Sequence, residues 1–361
     1  MRRVFLWMLF CGWLAAPPNR AQQPQPPDQQ PTVTIGVTVE NVVAPVLVFD
    51  QRGSYVNDIR PDQFHLFDNQ KEQNISVDVI YQPISMVIAI QANSHVEQLL
   101  PHVQKIGNLI KPLLIGDQGE AAVIAYDSRI RVLQDFTSDA DKITAQIKKI
   151  YPGSTSNRLV DAVVEGTRML STRPKNRRRI LITIGETRDL GSEGRSREAL
   201  MGLQFANILF YGVDMSRIMN VLTAPAPVPR PDNNPPAMNP LPGGVPSTPT
   251  TVAQAYGTNG GTAEFIPLMV EIFKDAKAIF VQNPVEVFTR GTGGSEFGFH
   301  GLHSLEDAIE KAGEELHSQY TVSYNPNNKD EGGWHQIIVQ VGGHPEVKRV
   351  QVRPGYWLAP K

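Results

Sequence analysis

The 361-residue sequence contains a single cysteine, Cys11. Cys11 lies in an amino-terminal segment in which Arg2 and Arg3 precede an apolar stretch too short to span a bilayer, and this pattern predicts an export signal peptide over residues 1–21. We expect the processed chain to lack cysteine, which excludes disulfide bonds, zinc–thiolate clusters and a cysteine nucleophile. The bulky Phe10 before Cys11 disfavours lipid attachment at that cysteine.

An excess of basic charge is also missing. The sequence has 34 Lys and Arg against 36 Asp and Glu, and the predicted processed chain loses three arginines, which leaves 31 against 36 and a formal charge of −5. This balance argues against a protein that follows nucleic-acid phosphates, which would need a basic face. We interpret the local run Arg177-Arg178-Arg179 as the solvated start of a strand. After the leader, no apolar run reaches the roughly 18 residues of a membrane span.

Sequence motifs of common catalytic sites are missing as well. The chain has no Gly-x-Ser-x-Gly, no His-Glu-x-x-His and no glycine-rich phosphate loop. We therefore predict neither catalytic nor cofactor-binding residues and interpret the chain as a non-enzyme. A hydrolase with an unrecognised site is a remote alternative.

What the sequence does contain is an alternation of strand and helix patterns in its middle. Residues 84–90 form an almost uninterrupted, mostly β-branched apolar run, which is typical of a strand covered on both faces. Similar runs at 180–184 and 208–213 alternate with helical patterns. This order predicts right-handed crossovers and an α/β fold with a doubly wound, mostly parallel sheet. Function is expected at the carboxyl ends of these strands.

The composition predicts several further segments. A Gln- and Pro-rich stretch after the leader is too polar to pack a core, and ten prolines between residues 225 and 249 indicate a flexible insertion. Both chain ends are rich in strand patterns, and we expect them to form one small antiparallel β unit that flanks the α/β domain. The predicted boundaries are 22–31 for a disordered spacer, 32–82 for an N-terminal β region, 83–317 for the α/β domain with its insertion at 217–258, and 318–361 for a C-terminal β region.

Several motifs, in this order, resemble a von Willebrand factor A-type domain, and more narrowly the secreted A-domain-related proteins of acidobacteria. They are Val46-Leu-Val-Phe-Asp50-Gln-Arg-Gly53, Ile59-Arg-Pro-Asp62-Gln-Phe64, Thr292-Gly-Gly294, Gln319-Tyr320-Thr-Val-Ser-Tyr324-Asn-Pro326 and Val352-Arg-Pro-Gly355-Tyr356. The resemblance covers roughly residues 33–357 apart from the proline-rich insertion, and it implies a Rossmann-like fold and a protein-binding function.

The family has a metal site at the carboxyl edge of its sheet, written Asp-x-Ser-x-Ser, with a Thr and an Asp from two further loops. The resemblance assigns the first Asp position to Gln91, the two serine positions to Asn93 and His95, the Thr position to Asn157 and the last Asp position to Ile184. None of these residues is a carboxylate, and Mg²⁺ does not exchange its water shell for neutral amides. We therefore predict a degenerate site without metal.

Other residues near this edge leave alternatives open. Glu186 and Asp189 follow the third-loop position and are interpreted as solvated loop residues, or else as the ligands of a weaker, non-standard metal site. Thr155 is a second candidate for the Thr position. We interpret His300 and His303 as polar surface in preference to metal ligands.

The leading hypothesis is an exported, periplasmic or extracellular protein that binds another protein at this edge without a metal. Ile184 has two interpretations, either a core residue or a partly exposed apolar anchor. A structural or assembly component of the cell envelope is the alternative. The sequence specifies neither the partner nor the oligomeric state. The residues of the predicted binding edge are Gln91, Asn93, His95, Asn157, Ile184 and Glu186.

Overall fold

A computed structural model describes residues 41–78, 82–216, 218–219, 283–298 and 304–358. The predicted leader and spacer, His300, His303 and nearly all of the proline-rich insertion lie outside these residues. Ile218 and Met219, at the start of the predicted insertion, are buried in the core. No helix within the described residues has the length and apolar character to cross a membrane.

A six-stranded sheet forms the centre of the α/β domain. Its strand order is β10-β9-β8-β5-β6-β7, and every neighbouring pair is parallel except β6 and β7, which are antiparallel. This confirms the predicted doubly wound, mostly parallel sheet. The strands are β5 (Ile84–Gln91), β6 (Glu120–Tyr126), β7 (Ile130–Thr137), β8 (Arg178–Gly185), β9 (Ile208–Asp214) and β10 (Glu296–Gly298).

Strand β5 is buried over its whole length because helices cover both faces of the sheet. Ile88 and Ile90 point to one face, where α1, α5 and the helical segment 94–115 pack. Val87 and Ala89 point to the other face, against α2, α3 and α4. The helices are α1 (Ala140–Ile147), α2 (Leu159–Ser171), α3 (Ser196–Phe205), α4 (Pro284–Thr292) and α5 (Ser304–Ser318).

The segment after β5 differs from the continuous helix that its apolar spacing predicts. It is a series of short 3₁₀, α and π turns, which begins with Ser94–Leu99 and ends with Ile110–Ile115. Pro101 and Pro112 have no N–H to donate and Gly107 weakens helix propagation, so the backbone cannot keep one hydrogen-bonding register. The apolar face is nevertheless buried as the spacing predicts.

The two chain ends together form the predicted antiparallel β unit. It consists of two four-stranded sheets, ordered β13-β1-β11-β4 and β14-β12-β2-β3, which share one apolar core. All of its strand pairs are antiparallel. The strands are β1 (Val42–Asp50), β2 (Phe64–Asp68), β3 (Lys71–Glu72), β4 (Ile75–Asp78), β11 (Tyr320–Tyr324), β12 (Gly333–Val341), β13 (Val347–Val352) and β14 (Gly355–Leu358).

Candidate binding edge of the six-stranded sheet

The carboxyl ends of β5, β6 and β8 lie side by side. Gln91 pairs with Tyr126 on β6, and Ile90 pairs with Ile184 on β8, so the loops that follow these strands meet at one edge. The loop before α2 joins them, because the Ser94 N–H donates to the Ser154 carbonyl at 2.9 Å. The structure thus places the predicted positions at a single edge of the sheet.

Gln91 is fully buried and all of its amide hydrogen bonds go to neighbouring loops. The backbone N–H of Glu186 donates to Gln91 Oε1 at 2.6 Å, which identifies that atom as the acceptor. Gln91 Nε2 therefore faces two oxygens, and donates to Glu186 Oε2 at 2.8 Å and to Asn93 Oδ1 at 3.1 Å. The side chain locks the end of β5 to the end of β8.

Asn93 extends these bonds to the next loop. Its Oδ1 accepts from the Val96 N–H at 3.3 Å and so caps the first 3₁₀ turn, while its Nδ2 donates to the Thr155 carbonyl at 3.3 Å. Thr155 thus contributes through its backbone carbonyl. Both ends of the Asn93 amide thus form hydrogen bonds within the protein. Because the residue is only 1% exposed, it offers no surface to a partner.

Glu186 and His95 complete the group of hydrogen-bonded side chains around Gln91. The Glu186 side chain is only 14% exposed, and its Oε2 also lies 2.9 Å from His95 Nδ1. The His95 side chain is 52% exposed and is the part of the set that reaches solvent. We call Asn93, Gln91, Glu186 and His95 the Gln91 network. The prediction that Glu186 is a solvated loop residue is wrong, because Gln91 and His95 hold its carboxylate.

The Gln91 network does not fit a divalent cation. Two oxygens that a cation would need, Asn93 Oδ1 and Glu186 Oε2, both accept hydrogen bonds from the same amide nitrogen of Gln91. A hard cation needs several free oxygens around it and preferably more than one carboxylate. Across the described ranges no three His, Cys, Asp or Glu side chains come close enough to hold a metal ion. The network holds the Glu186 charge with N–H donors.

Ile184 is fully buried and packs in the core with Ile90 and Ile182. Its place in β8 directs the side chain to the face that the helices cover. The interpretation of Ile184 as an exposed anchor is therefore wrong, and its interpretation as a core residue is confirmed. Gln91, Asn93 and Asn157 are buried too, so only His95 and part of Glu186 remain as a surface among the predicted binding residues.

Asp189 and Asp161 hold the start of α2. Asp189 Oδ1 accepts from the Val160 N–H at 3.2 Å and from the Ser192 hydroxyl at 2.6 Å. Asp161 Oδ1 accepts from the Gly194 N–H at 2.8 Å. Asp189 is thus a partly exposed loop residue whose carboxylate stabilises a helix start and its loop.

Asn157 lies apart from the Gln91 network. Its Nδ2 donates to the Arg188 carbonyl at 2.8 Å, and its own carbonyl accepts from the Leu190 N–H at 2.9 Å. No hydrogen bond joins it to Gln91 in the described part of the chain. Its role is to position the loop after β8.

Tyr126 belongs to this edge, although no pattern in the sequence identifies it. It pairs with Gln91 across the sheet, and its buried hydroxyl has no hydrogen-bond partner among the described residues. Burial, followed by the charges of Glu186 and Asp189, raises the pKa of Tyr126 well above its usual range. A Cβ atom at Gly185 would collide with the Tyr126 hydroxyl and the Gln91 side chain, so this approach requires glycine.

Two large apolar side chains project from the same edge. Leu190, in the loop after β8, is 65% exposed, and Tyr151, in the loop before α2, is 63% exposed. Arg131 places its guanidinium 4.7 Å from the centre of the Tyr151 ring. Neither side chain was predicted as a binding residue, because exposure of a single apolar residue leaves no periodic signal in a sequence.

A scan against protein-family models and a search of curated proteins found no match. Among solved structures, the chain is similar to the hypothetical protein BatB of Bacteroides thetaiotaomicron, with 15% identity, a TM-score of 0.39, and coverage of 64% of this chain and 98% of BatB. An aerotolerance-related membrane protein of Bacteroides fragilis gives 14% identity, a TM-score of 0.36 and the same coverages.

The von Willebrand factor domain of the type V pili tip protein Mfa5 of Porphyromonas gingivalis gives 16% identity and a TM-score of 0.27, with 30% of this chain and 40% of that one covered. Identities and TM-scores this low do not transfer a function to the chain.

Proposed function

We propose that this chain is an exported, non-enzymatic protein that binds another protein at the carboxyl edge of its six-stranded sheet, without a metal. The observation that carries the proposal is the pair of exposed apolar side chains, Leu190 and Tyr151, on loops that the fold holds at this edge. Large apolar and aromatic side chains on a rigid frame are the usual anchors of protein interfaces.

The buried polar groups under these anchors support a rigid surface. Gln91 joins the loops after β5 and β8, Asn93 joins the loop before α2, and Asp189 holds the start of that helix. Loops that are fixed before binding lose little conformational entropy when a partner docks. His95 lies at the rim with its imidazole half exposed, where it adds a polar contact.

A catalytic reading of the same edge has less support. The pair of His95 and Glu186 is the arrangement that orients a general base, but no serine, threonine or tyrosine hydroxyl in the described residues bonds to His95. The Tyr126 hydroxyl is fully buried and its raised pKa keeps it protonated. A broad hydrolase screen of the purified protein is expected to show no turnover above the His95→Ala variant.

A structural or assembly role in the cell envelope is the second candidate, and it places the function in the proline-rich insertion and the terminal β unit. Deletion of residues 220–258, which keeps the buried Ile218 and Met219, separates the two. A protein that binds through the sheet edge keeps its partner after the deletion, whereas an assembly component that acts through the insertion loses it. Location in the periplasm or outside the cell, and membership of the secreted A-domain-related group, are parts of the proposal that rest on the leader and on the motifs.

The test is capture of a partner from the native envelope with matched surface variants. Leu190→Asp and Tyr151→Ala change the proposed edge, and Ile338→Asp changes an apolar residue that is 41% exposed on β12 in the terminal β unit. We expect one captured protein to be lost with both edge variants and kept with Ile338→Asp. Capture that is lost with Ile338→Asp and kept with the edge variants would contradict the proposal.

A further inference from the structure

A cleft opens at the opposite, amino-terminal edge of the six-stranded sheet. Its volume is about 330 Å³, which lies within the range of small-molecule sites. The starts of β8 and β9 form one wall, and β1, β11 and the turn into β14 form the other. The cleft therefore lies between the parallel sheet and the terminal β unit.

The side chains that line this cleft are strongly cationic. Five of them carry positive charge, and the described lining contains one acid, Asp78, which accepts a hydrogen bond from Gln82 at 2.7 Å. The five cations are Lys175, Arg177, Arg178, Arg179 and Arg353. An acidic chain with a concentrated basic cleft attracts an anion to that place, because the low-dielectric walls focus the field.

The arginine run at the start of β8 is not the solvated segment that the sequence predicts. Arg177 is tied to the Ile84 carbonyl at 2.8 Å and to Glu120 at 3.3 Å, and Arg178 donates to the Leu316 carbonyl at 2.7 Å. These contacts fix the backbone from which Arg179 reaches the cleft. Arg177 and Arg178 thus build the wall and have partners of their own.

Arg353 is the residue that points to a ligand. It is 3% exposed, and its Nε has no hydrogen-bond partner among the described residues. No described acid forms an ion pair with it, and its guanidinium lies 5.6 Å from the centre of the Tyr356 ring. A buried guanidinium without an anion is costly, and such groups are normally paired.

Arg179, on the opposite wall, is half-buried and keeps one free donor. Its Nε has no described partner, whereas its NH1 donates to the Ala206 carbonyl at 3.0 Å and its NH2 donates to the Arg173 carbonyl. The buried carboxylate of Asp68 attracts the Arg353 guanidinium without bonding to it, because its oxygens already accept from His335, Tyr324 and Tyr356. The protein thus leaves the Nε–H groups of Arg353 and Arg179 without described partners on two walls of one cleft.

We propose that this cleft binds an anionic small molecule through a phosphate or carboxylate group held by the guanidinium of Arg353 and the Nε–H of Arg179, with Lys175 at the mouth. Arg353 matches these groups because the planar fork of an arginine donates two parallel hydrogen bonds to oxygen atoms. The site is separate from the carboxyl edge and does not depend on the function proposed there.

Isothermal titration of the full-length protein with pyrophosphate and with citrate, at fixed ionic strength, tests the site. We expect saturable binding of one anion per chain, and a rise in melting temperature that follows the measured affinity. Arg353→Gln and Arg179→Gln should each weaken binding about tenfold or more, which corresponds to one lost charged hydrogen bond. Lys175→Gln should weaken it by a smaller factor.

Two variants keep the result interpretable. Arg52→Gln removes the same charge from an exposed turn and should leave the affinity unchanged. Arg353→Lys keeps the positive charge but lacks the planar fork, so its affinity for the anion should lie between those of the wild type and Arg353→Gln. It also serves as the test variant if Arg353→Gln does not fold stably. Absence of saturable binding by either anion, or equal weakening in Arg52→Gln and Arg179→Gln, would overturn the proposal. Preference for pyrophosphate over citrate would assign a phosphate ligand, and the reverse a carboxylate.

Discussion

The two edges of the six-stranded sheet hold their inward-facing charged side chains in different ways. At the carboxyl edge, Gln91 and Glu186 bond to each other and to neighbouring loops, and the surface above them is partly apolar. At the amino edge, Arg179 and Arg353 keep guanidinium nitrogens without described partners beside a cleft. The carboxylate of Glu186 thus has donors within the protein, whereas the guanidinium of Arg353 borders a cleft that an anion can enter.

The terminal β unit shows the same contrast within a few residues. Asp68 is completely buried, and its carboxylate accepts from Tyr324 at 2.9 Å and from Tyr356 at 2.7 Å, with His335 Nδ1 at 2.7 Å. Arg353, on the turn before Tyr356, has no such set of partners. Asp68 is therefore a structural charge, whereas Arg353 forms no ion pair with a carboxylate of the described residues.

The largest expected effect is that of Ile184→Asp at the carboxyl edge. The variant places an unpaired carboxylate in the core, and we expect a loss of about 4 kcal/mol or more in the free energy of unfolding. Urea denaturation measures the loss, with Leu190→Asp as the exposed control on the same edge. A stably folded Ile184→Asp protein would mean that this side chain reaches solvent.

Gln91→Glu tests the Gln91 network with an isosteric change. The new carboxyl group faces Glu186, and we expect a loss of about 2–4 kcal/mol at neutral pH from like charges in a buried site. The pKa of the new group should be raised in the folded state, so the folded protein binds more protons. The loss in free energy of unfolding should therefore be complete above the raised pKa of the folded state. It should shrink as the pH falls towards the pKa of the same group in the unfolded state.

Urea denaturation of Gln91→Glu at several pH values between about 5 and 8 measures how its loss of stability depends on pH. Gln91→Met is the control, since it removes the hydrogen bonds without adding charge, and its loss should change little with pH. Equal losses for Gln91→Glu at both ends of the range would show that Glu186 does not face this position.

Asp68→Asn should have a somewhat smaller effect in the terminal β unit. Burial alone raises the pKa of Asp68, but the hydrogen bonds from His335, Tyr356 and Asn328 outweigh burial, and the pKa is lowered. The carboxylate thus contributes stability above its unfolded pKa that is lost as the pH falls through the lower folded value. We expect Asp68→Asn to cost about 1–3 kcal/mol at neutral pH and to remove part of the acid sensitivity.

The exposed Asp62→Asn variant is the control for this measurement, since its carboxylate lies in a surface ion pair with Arg60. It should leave both the stability and its pH dependence unchanged. An Asp68→Asn protein with the acid sensitivity of the wild type would show that another carboxylate is responsible.

The smallest expected effect is that of His95→Ala. The imidazole is half exposed, so its contact with Glu186 should contribute less than about 1 kcal/mol to stability. Under the proposed function the same change weakens partner capture. A larger loss of stability would make His95 a structural member of the network and remove it from the binding surface.

The fold was predictable because its signals are local. The apolar run of β5, the alternating helices and the strand-rich ends follow from periodicity, and each is found where the pattern predicts. The helical segment 94–115 was predicted less well, since apolar spacing identifies its buried face but not the turns imposed by Pro101 and Pro112.

The site was predicted only in its position. Nothing near Asp189 in the sequence shows that it bonds to Val160, 29 residues earlier, or that Glu186 is held by Gln91. The arginine run looks solvated because its partners lie on other strands and on α5. Likewise, Arg353 is 174 residues from Arg179, and only the folded chain brings both to one cleft.

A thermal melt of the wild-type protein with and without Mg²⁺, Mn²⁺ and Ca²⁺ at millimolar concentration shows whether the carboxyl edge binds a metal. We expect no shift in melting temperature for any of the three ions, because N–H donors already hold the oxygens of the carboxyl edge. A stabilisation by one of these ions that disappears in Gln91→Met or Asn93→Ala would contradict this expectation, since the Gln91 network would then be a metal site.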